Sequence, residues 1–470
     1  MRSTDAREWG PAVDAAVRSA VEALGLDAPD AVRRITHVAI SHQRETFVCL
    51  DEDAEPLGPA ILWLDGRAGD QIRRYGTDRV ERLCGKPADI TPALYKIAWL
   101  SEHRPDLMAS TRHLVDTHAY LAHRLTGRWV TSTSSADPLA LLDIAAGAYS
   151  PELLSIAGLS ESQLPELHTA GTDLGAISDD VCAAWGLPAG VRLVAGLGDG
   201  QAAGLGAAVT TPGQGYLNLG TAVLIGTERQ GYQPSRAYRS LWSVTPGQTT
   251  LETFLSSGTY LPTWFREQFG RRKLAGAPDP VLEDAAGAVP IGSDGLMTLP
   301  YWNSAQTPHW DAQARGAVVG WRGSHTKAHT YRSLLEGVAF ELRAQLDGLQ
   351  EQTGTPIDAL HTMGGGSRSA LWTRIVADVL DRPLRICAEA EISALGAAMV
   401  AHVSAGTHPD VRAAADAMAS VSGMVSPDPE RVAQYEPLRA IYAELYPTLR
   451  ETLHRLDSLG TSTPPMTGEA

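Results

Sequence analysis

The sequence predicts an α/β protein whose two halves face each other across a cleft. Three observations carry this expectation. An apolar run, Val191 to Leu197, gives way at Asp199 to a small-residue helix ending near Thr210; a Gly-rich turn and a β-prone run (Tyr216 to Leu219) then lead to Gly220-Thr221. A strand near Ala359 to Met363 runs into Gly364-Gly365-Gly366-Ser367 and a helix through Leu380. Asp199 and Glu391 each precede an Ala/Gly-rich helix, one late in each half. Two related α/β halves would produce that echo, and so would chance in an Ala-rich chain.

An acid at a helix start, followed by a second glycine turn, suits phosphoryl transfer. The carboxylate orients an attacking hydroxyl and backbone N–H groups hold phosphate oxygens. Asp is also a favoured N-cap, and a Gly-Thr turn after a strand is common. Three glycines in a row equally fit a tight turn. Spacing alone therefore leaves plain structural readings open.

The other elements follow in order. Residues 6 to 24 form a helix, capped by Thr4 or Asp5, with Trp9, Val13, Val17, Val21 and Leu24 at helical spacing. Strands are predicted at Val38 to Ile40, Phe47 to Leu50 and Ala60 to Leu64, with a turn over Asp51 to Gly58. The clusters Arg44/Glu45 and Asp65/Arg67 fall at strand edges or turns, where they can meet a ligand or pair as ions. Helices are predicted at Gly69 to Leu83, Tyr95 to Glu102 and Val115 to Leu125, the last closed by Gly127. Strands continue from Thr221 to about Thr250. Helices follow at Leu261 to Phe269 and Ala328 to Glu351, then a strand at Leu384 to Ile386. A Pro/Ser/Thr-rich tail, 459–470, is expected to be disordered.

Composition narrows the function. The 470 residues are 44% hydrophobic and 20% charged, which allows two large domains. A net charge of −15 without a long basic run argues against a nucleic-acid partner. The four cysteines (Cys49, Cys84, Cys182, Cys387) form no CxxC pair, and no Cys–His cluster has metal-ligand spacing. No apolar run reaches membrane-spanning length and Met1 to Gly10 lacks a signal-peptide core. A reduced, cytoplasmic setting is expected, with no membrane partner.

Several segments together resemble the FGGY family of carbohydrate kinases, over about residues 6 to 455. ILWLDGRA (61–68) is similar to the family's Trp-x-Asp-x-Arg segment, and GLGDGQAAGLGAA (196–208) to its catalytic-aspartate segment. GYLNLGT (215–221) is similar to its second phosphate loop. QTPHWDAQARGA (306–317), GGGSRSALWTRIVADVLDRPL (364–384) and EISALGAA (391–398) resemble its C-terminal regions.

The resemblance implies two ribonuclease-H-like lobes of the actin/hexokinase ATPase type, here 1–208 for the sugar and 209–458 for the nucleotide. They would close on a small sugar or polyol and on ATP with Mg²⁺. It implies Asp199 as the base, and Gln43, Arg44, Glu45, Asp65, Arg67 and Gln201 as sugar contacts. It places Gly220 and Thr221 near the phosphates, and Gly364, Gly365, Gly366 and Ser367 against the adenosine. No protein ligand to the metal is assigned, and a homodimer is left open.

The family opens with a strand, an Asp-x-Gly-Thr-type phosphate loop and two further strands. Here the helix that follows them comes first. Either the stated start is too far downstream, the favoured reading, or the chain is a truncation with impaired phosphate binding and a bared apolar sheet edge.

For the substrate, SHQRETFV (41–48) resembles the glycerol-kinase sugar loop, while LWLDGR resembles xylulose kinases more. Gly200 stands where an amide residue usually follows the catalytic Asp, which counts against glycerol. A xylulose-like ketopentose is favoured over glycerol or another polyol. A catalytically impaired sugar- or nucleotide-binding relic is the alternative from another class.

Overall fold

The computed structural model describes residues 1–270 and 279–460. Among the described residues a four-stranded and a three-stranded sheet form in the N-terminal half and a seven-stranded sheet in the C-terminal half, beside three two-stranded ribbons. In the first small sheet Ser3–Thr4 pairs with Ala60–Ile61, followed by Phe47–Leu50 and His113–Asp116. In the second, Arg192–Gly198 lies between Asp173–Ala176 and His37–His42, parallel to the latter. The large sheet has seven strands. Gly215–Leu219 is central to it, antiparallel to Val223–Gln230 and parallel to Leu360–Met363.

The apolar stripe of the first helix is only partly covered, its residues half-buried. The helix runs Trp9–Asp27, after a 3₁₀ turn capped by Asp5. Val13, Val17 and Val21 pack with Ile40 and Val38 against a core that includes Trp185 and Leu193. In the C-terminal half the long helix Lys327–Thr353 buries Leu334, Leu335, Val338, Phe340, Leu342 and Leu346 beneath the seven-stranded sheet.

The two small-residue helices, Asp199–Gly206 and Ile392–Ser404, cross in direct contact. Glycine makes this possible. A Cβ on Gly396 would stand 1.9 Å from the carbonyl oxygen of Ala202, and one on Gly206 would stand 2.1 Å from that of Ile392. The echo between Asp199 and Glu391 is thus a real junction of the two halves. The same second helix packs against His37–His42. That strand is the edge of its sheet, and an apolar groove of about 680 Å³ runs along it, lined in part by Val17, Ile40 and Ala397.

Several boundaries differ from expectation, each for a local reason. The helix predicted over Gly69 to Leu83 breaks at Gly76-Thr77, because the Thr77 side chain caps a new helix, Asp78–Cys84. Val115 lies in a strand, and the helix starts at Thr117 because Asp116 caps it through the Ala119 N–H. The strand at Ala60 stops at Ile61, and the helix from Asp199 stops at Gly206. The last helix, Pro429–Gly460, takes in the first two residues of the predicted tail; 461–470 lie outside the described residues.

One buried acid on the central sheet carries a stability consequence. Glu228 is 7% exposed; its Oε1 accepts the Thr250 hydroxyl at 2.7 Å, and the Ser243 hydroxyl is its other polar neighbour. Burial pushes its carboxyl from 4.5 up to about 7. The folded state therefore holds a proton that the unfolded chain has released, and this stabilisation is lost as pH rises between about 4.5 and 7. The slope is about 1.4 kcal/mol per pH unit in that window. Glu228→Gln is expected to remove this contribution, seen as a flatter pH dependence of unfolding free energy between about pH 5 and 7; an unchanged slope would contradict the assignment.

Candidate active site

Asp199 is the first residue of its helix, with Gly198 as N-cap. The apolar strand Arg192–Gly198 delivers it to the junction, and its side chain remains 53% exposed. Its Oδ1 accepts the Gly200 N–H at 2.8 Å and faces the Arg44 Nε at 3.1 Å. No hydrogen bond from the described residues falls on Oδ2.

Arg44 and Glu45 come from the turn after His37–His42, and both are buried. Glu45 has φ +59°, a left-handed conformation that disfavours a non-glycine residue and needs surrounding support. The support is a lattice of charges. Arg44 Nη1 donates to Glu252 Oε2 at 2.9 Å. Arg239 donates to the same Glu252 oxygen through Nε at 3.2 Å and Nη2 at 2.9 Å, and to Glu45 Oε1 through Nη1 at 3.0 Å. Tyr216 Oη donates to Glu252 Oε1 at 2.7 Å.

Burial works against these charges, and the partners outweigh it. Burial alone would lower the Arg44 pKa, but Glu252, Asp199 and Glu45 raise it above the usual arginine range. Burial alone would raise the Glu252 carboxyl, yet Arg44 and Arg239 hold it at about 2. This lattice also explains Gly200. A Cβ there would stand 2.5 Å from Glu252 Oε1 and 2.6 Å from the Arg44 guanidinium. The position is filled by the ion pair, so the missing amide leaves no gap.

The lattice forms one wall of a cleft of about 650 Å³. Gln43, Arg44, Glu45, Asp199, Gly220 and Thr221 all line it. Three other predicted sugar contacts do not. Gln201 is 3% exposed and braces Arg44, accepting at 3.4 Å while its amide donates to the Ser134 carbonyl at 2.9 Å. Asp65 and Arg67 close on each other, with Arg67 Nε donating to Asp65 Oδ1 at 2.6 Å and Nη2 to Oδ2 at 3.0 Å. Asp65 is fully buried. Their neighbours Trp63 and Leu64 reach the cleft instead. The buried Lys96 anchors that wall by donating to the carbonyls of Trp63, Ile90 and Thr91 at 3.0, 3.0 and 2.7 Å.

Thr221 also lines a second pocket of about 220 Å³, together with Gly365, Gly366, Ser369 and Trp372. The cleft and the glycine turn therefore adjoin. Gly364 has φ +89°, and a Cβ there would meet the Leu219 backbone at 2.7 Å, so glycine is required. Ser367 turns back on its own loop, its hydroxyl donating to the Gly364 carbonyl at 2.7 Å. Ser369, not Ser367, faces the pocket. Sequence reasoning missed Arg239, Glu252 and Tyr216. Charged residues inside the β-prone runs Arg239–Trp242 and Gln248–Glu252 were the available signal.

An acid at a strand–helix junction thus shares one cleft with a glycine turn, in a chain built of two α/β halves. The comparisons agree. The N-terminal domain model of the FGGY family of carbohydrate kinases matches residues 1–206, and its C-terminal domain model matches 215–405. The chain belongs to this family of ATP-using sugar phosphotransferases. A xylulose kinase of Lactococcus lactis is 28% identical, over 94% of this chain and 88% of that protein. An L-fuculokinase of Salmonella typhi is 32% identical, over 74% of this chain and 73% of that protein. The structure of a xyloylose kinase from Brucella ovis aligns with a TM-score of 0.86 at 27% identity, covering 96% and 91% of the two chains. No helix among the described residues is long and apolar enough to cross a membrane.

Removing one member of a buried ion lattice strands its partners. Glu252→Gln is expected to cost about 3 kcal/mol or more in unfolding free energy, measured by denaturant titration at neutral pH. A change below about 0.5 kcal/mol, the scale of an inert surface substitution, would mean the lattice is not stabilising.

Proposed function

We propose that this chain transfers the γ-phosphoryl group of ATP to a primary hydroxyl of a small sugar, with a xylulose-like ketopentose as the favoured acceptor. The observation that carries the reading is the half-exposed Asp199 carboxylate on a cleft that also presents Gly220 and Thr221. Asp199 orients the acceptor hydroxyl and takes its proton. Arg44 fixes the Asp199 carboxylate, and Gln43 and Glu45 meet sugar hydroxyls. Asp65 and Arg67 hold the Trp63–Leu64 wall rather than the sugar. The Gly220-Thr221 turn holds phosphate oxygens, and Gly365 and Gly366 receive the nucleoside. Catalysis of this kind is mainly positioning and charge stabilisation.

Magnesium would arrive with the nucleotide, held chiefly by phosphate oxygens and water, as this hard cation prefers. Among the described residues no group of three His, Cys, Asp or Glu side chains could form a cage for it. Its chemistry would be neutralisation of phosphate charge. We further place the division between sugar and nucleotide lobes at residue 208, with 209–458 as the second, and the enzyme in the cytoplasm, without nucleic-acid or membrane partners and with a homodimer left open.

The xylulose reading is supported by relatives with that name from Lactococcus lactis and Klebsiella pneumoniae. A glycerol or other polyol kinase is the second reading, favoured by the Gln43-Arg44-Glu45 loop. Two measurements test both. An ADP-release screen over xylulose, ribulose, glycerol, erythritol, xylitol and gluconate is expected to give the highest kcat/KM with a ketopentose; a polyol as best substrate overturns the preference, and silence on every substrate favours the impaired relic. Asp199→Asn is expected to lower kcat by about 100-fold or more, the scale of losing a general base, and unchanged turnover would remove Asp199 from the role.

A further inference from the structure

Far along the helix Lys327–Thr353, a buried acid stands outside the cleft lining. Glu341 is 2% exposed, and both hydroxyls that reach it, from Tyr301 at 2.8 Å and Tyr442 at 2.7 Å, donate to the same oxygen, Oε2. No hydrogen bond from the described residues falls on Oε1. Glu341 lines a pocket of about 380 Å³ that opens between this helix and Pro429–Gly460, its mouth bordered by the exposed Ala344, Ala440 and Ala443. The walls are aromatic. Tyr301 and Tyr446 meet edge to face at 5.0 Å, and Phe340 stacks on Tyr442 at 5.4 Å.

The charge at the mouth does not neutralise Glu341. Asp347 holds Arg439 at 3.1 Å and Arg343 at 2.9 Å, and Glu436 holds Arg439 at 3.4 Å, so among the described residues no ion pair reaches the buried acid. Burial pushes the Glu341 carboxyl up to about 7, while its two tyrosines pull the other way. Two donors already satisfy one oxygen, so the arrangement is built around a carboxylate acceptor with one side unfilled. Aromatic faces beside a buried carboxylate attract a cation with an apolar body.

We propose that this pocket is a second ligand site, selective for a small organic ammonium ion whose N–H groups donate to Glu341 Oε1 and whose apolar part lies against Tyr301, Phe340 and Tyr446. The site is independent of the kinase reading, because it lies in a separate pocket and is tested by binding alone. Residue 301 does adjoin the cleft segment 302–306, so the two sites share one stretch of backbone.

Benzylamine is the probe and benzyl alcohol its neutral control, titrated by calorimetry into the full chain at a pH above the Glu341 value. Saturable benzylamine binding is expected, with benzyl alcohol weaker by about tenfold or more, the worth of a charge-assisted hydrogen bond. Glu341→Gln should lose the same factor. Ala440→Leu, which narrows the mouth without touching the acid, should also weaken binding and serves if E341Q fails to fold. The proposal is overturned if benzylamine does not bind, if benzyl alcohol binds as well, or if either folded variant binds benzylamine like the wild type.

Discussion

Two guanidinium groups and two carboxylates, all buried, hold the structure's centre. Arg44 and Glu45 come from the N-terminal half, Arg239 and Glu252 from the C-terminal half, and each half supplies one cation and one anion to the lattice. Neither half could bury its own charges alone without a large desolvation penalty. Together they satisfy one another and leave Arg44 Nε free to reach Asp199. The interaction that joins the halves also orients the Asp199 carboxylate.

Several features become intelligible from that constraint. Glu45 adopts a left-handed backbone because its carboxyl must turn toward Arg239. Gly200 is bare because the Arg44–Glu252 pair occupies the space where a side chain would stand. Gly206 and Gly396 let two helices cross at backbone contact, which sets the spacing of the halves before any ligand arrives. The Ser393 hydroxyl donates to the Asp199 carbonyl at 3.0 Å, so the second helix also fixes the backbone of the first. Preorganisation of this sort is what phosphoryl transfer asks of a protein.

Much of this was legible in the sequence. The apolar run ending in Asp199, the glycine turns at 220 and 364, and the stripe of the first helix have local signatures of period and turn chemistry. What escaped was non-local. Glu252 and Arg239 look like ordinary residues at the ends of strands, and only the register Arg239↔Glu252 and the approach of Arg44 turn them into a site. Asp65-Gly66-Arg67 shows the converse. Its spacing suggested ligand contacts, but two residues is also the distance at which an acid and an arginine satisfy each other, and the structure takes that option. The helix break at Gly76-Thr77 was readable in principle, since Thr is a good N-cap, but the apolar period continues across it and hides the stop.

The most direct test of the inter-half lattice is a double-mutant cycle between Glu45 and Arg239. Glu45→Gln, Arg239→Gln and the double variant would be compared in unfolding free energy and in kcat/KM with the best acceptor. The account expects a coupling of about 1.5 kcal/mol or more in both quantities, as for buried charges in direct contact. Effects that add to within about 0.5 kcal/mol would mean that the two halves are not joined through these charges.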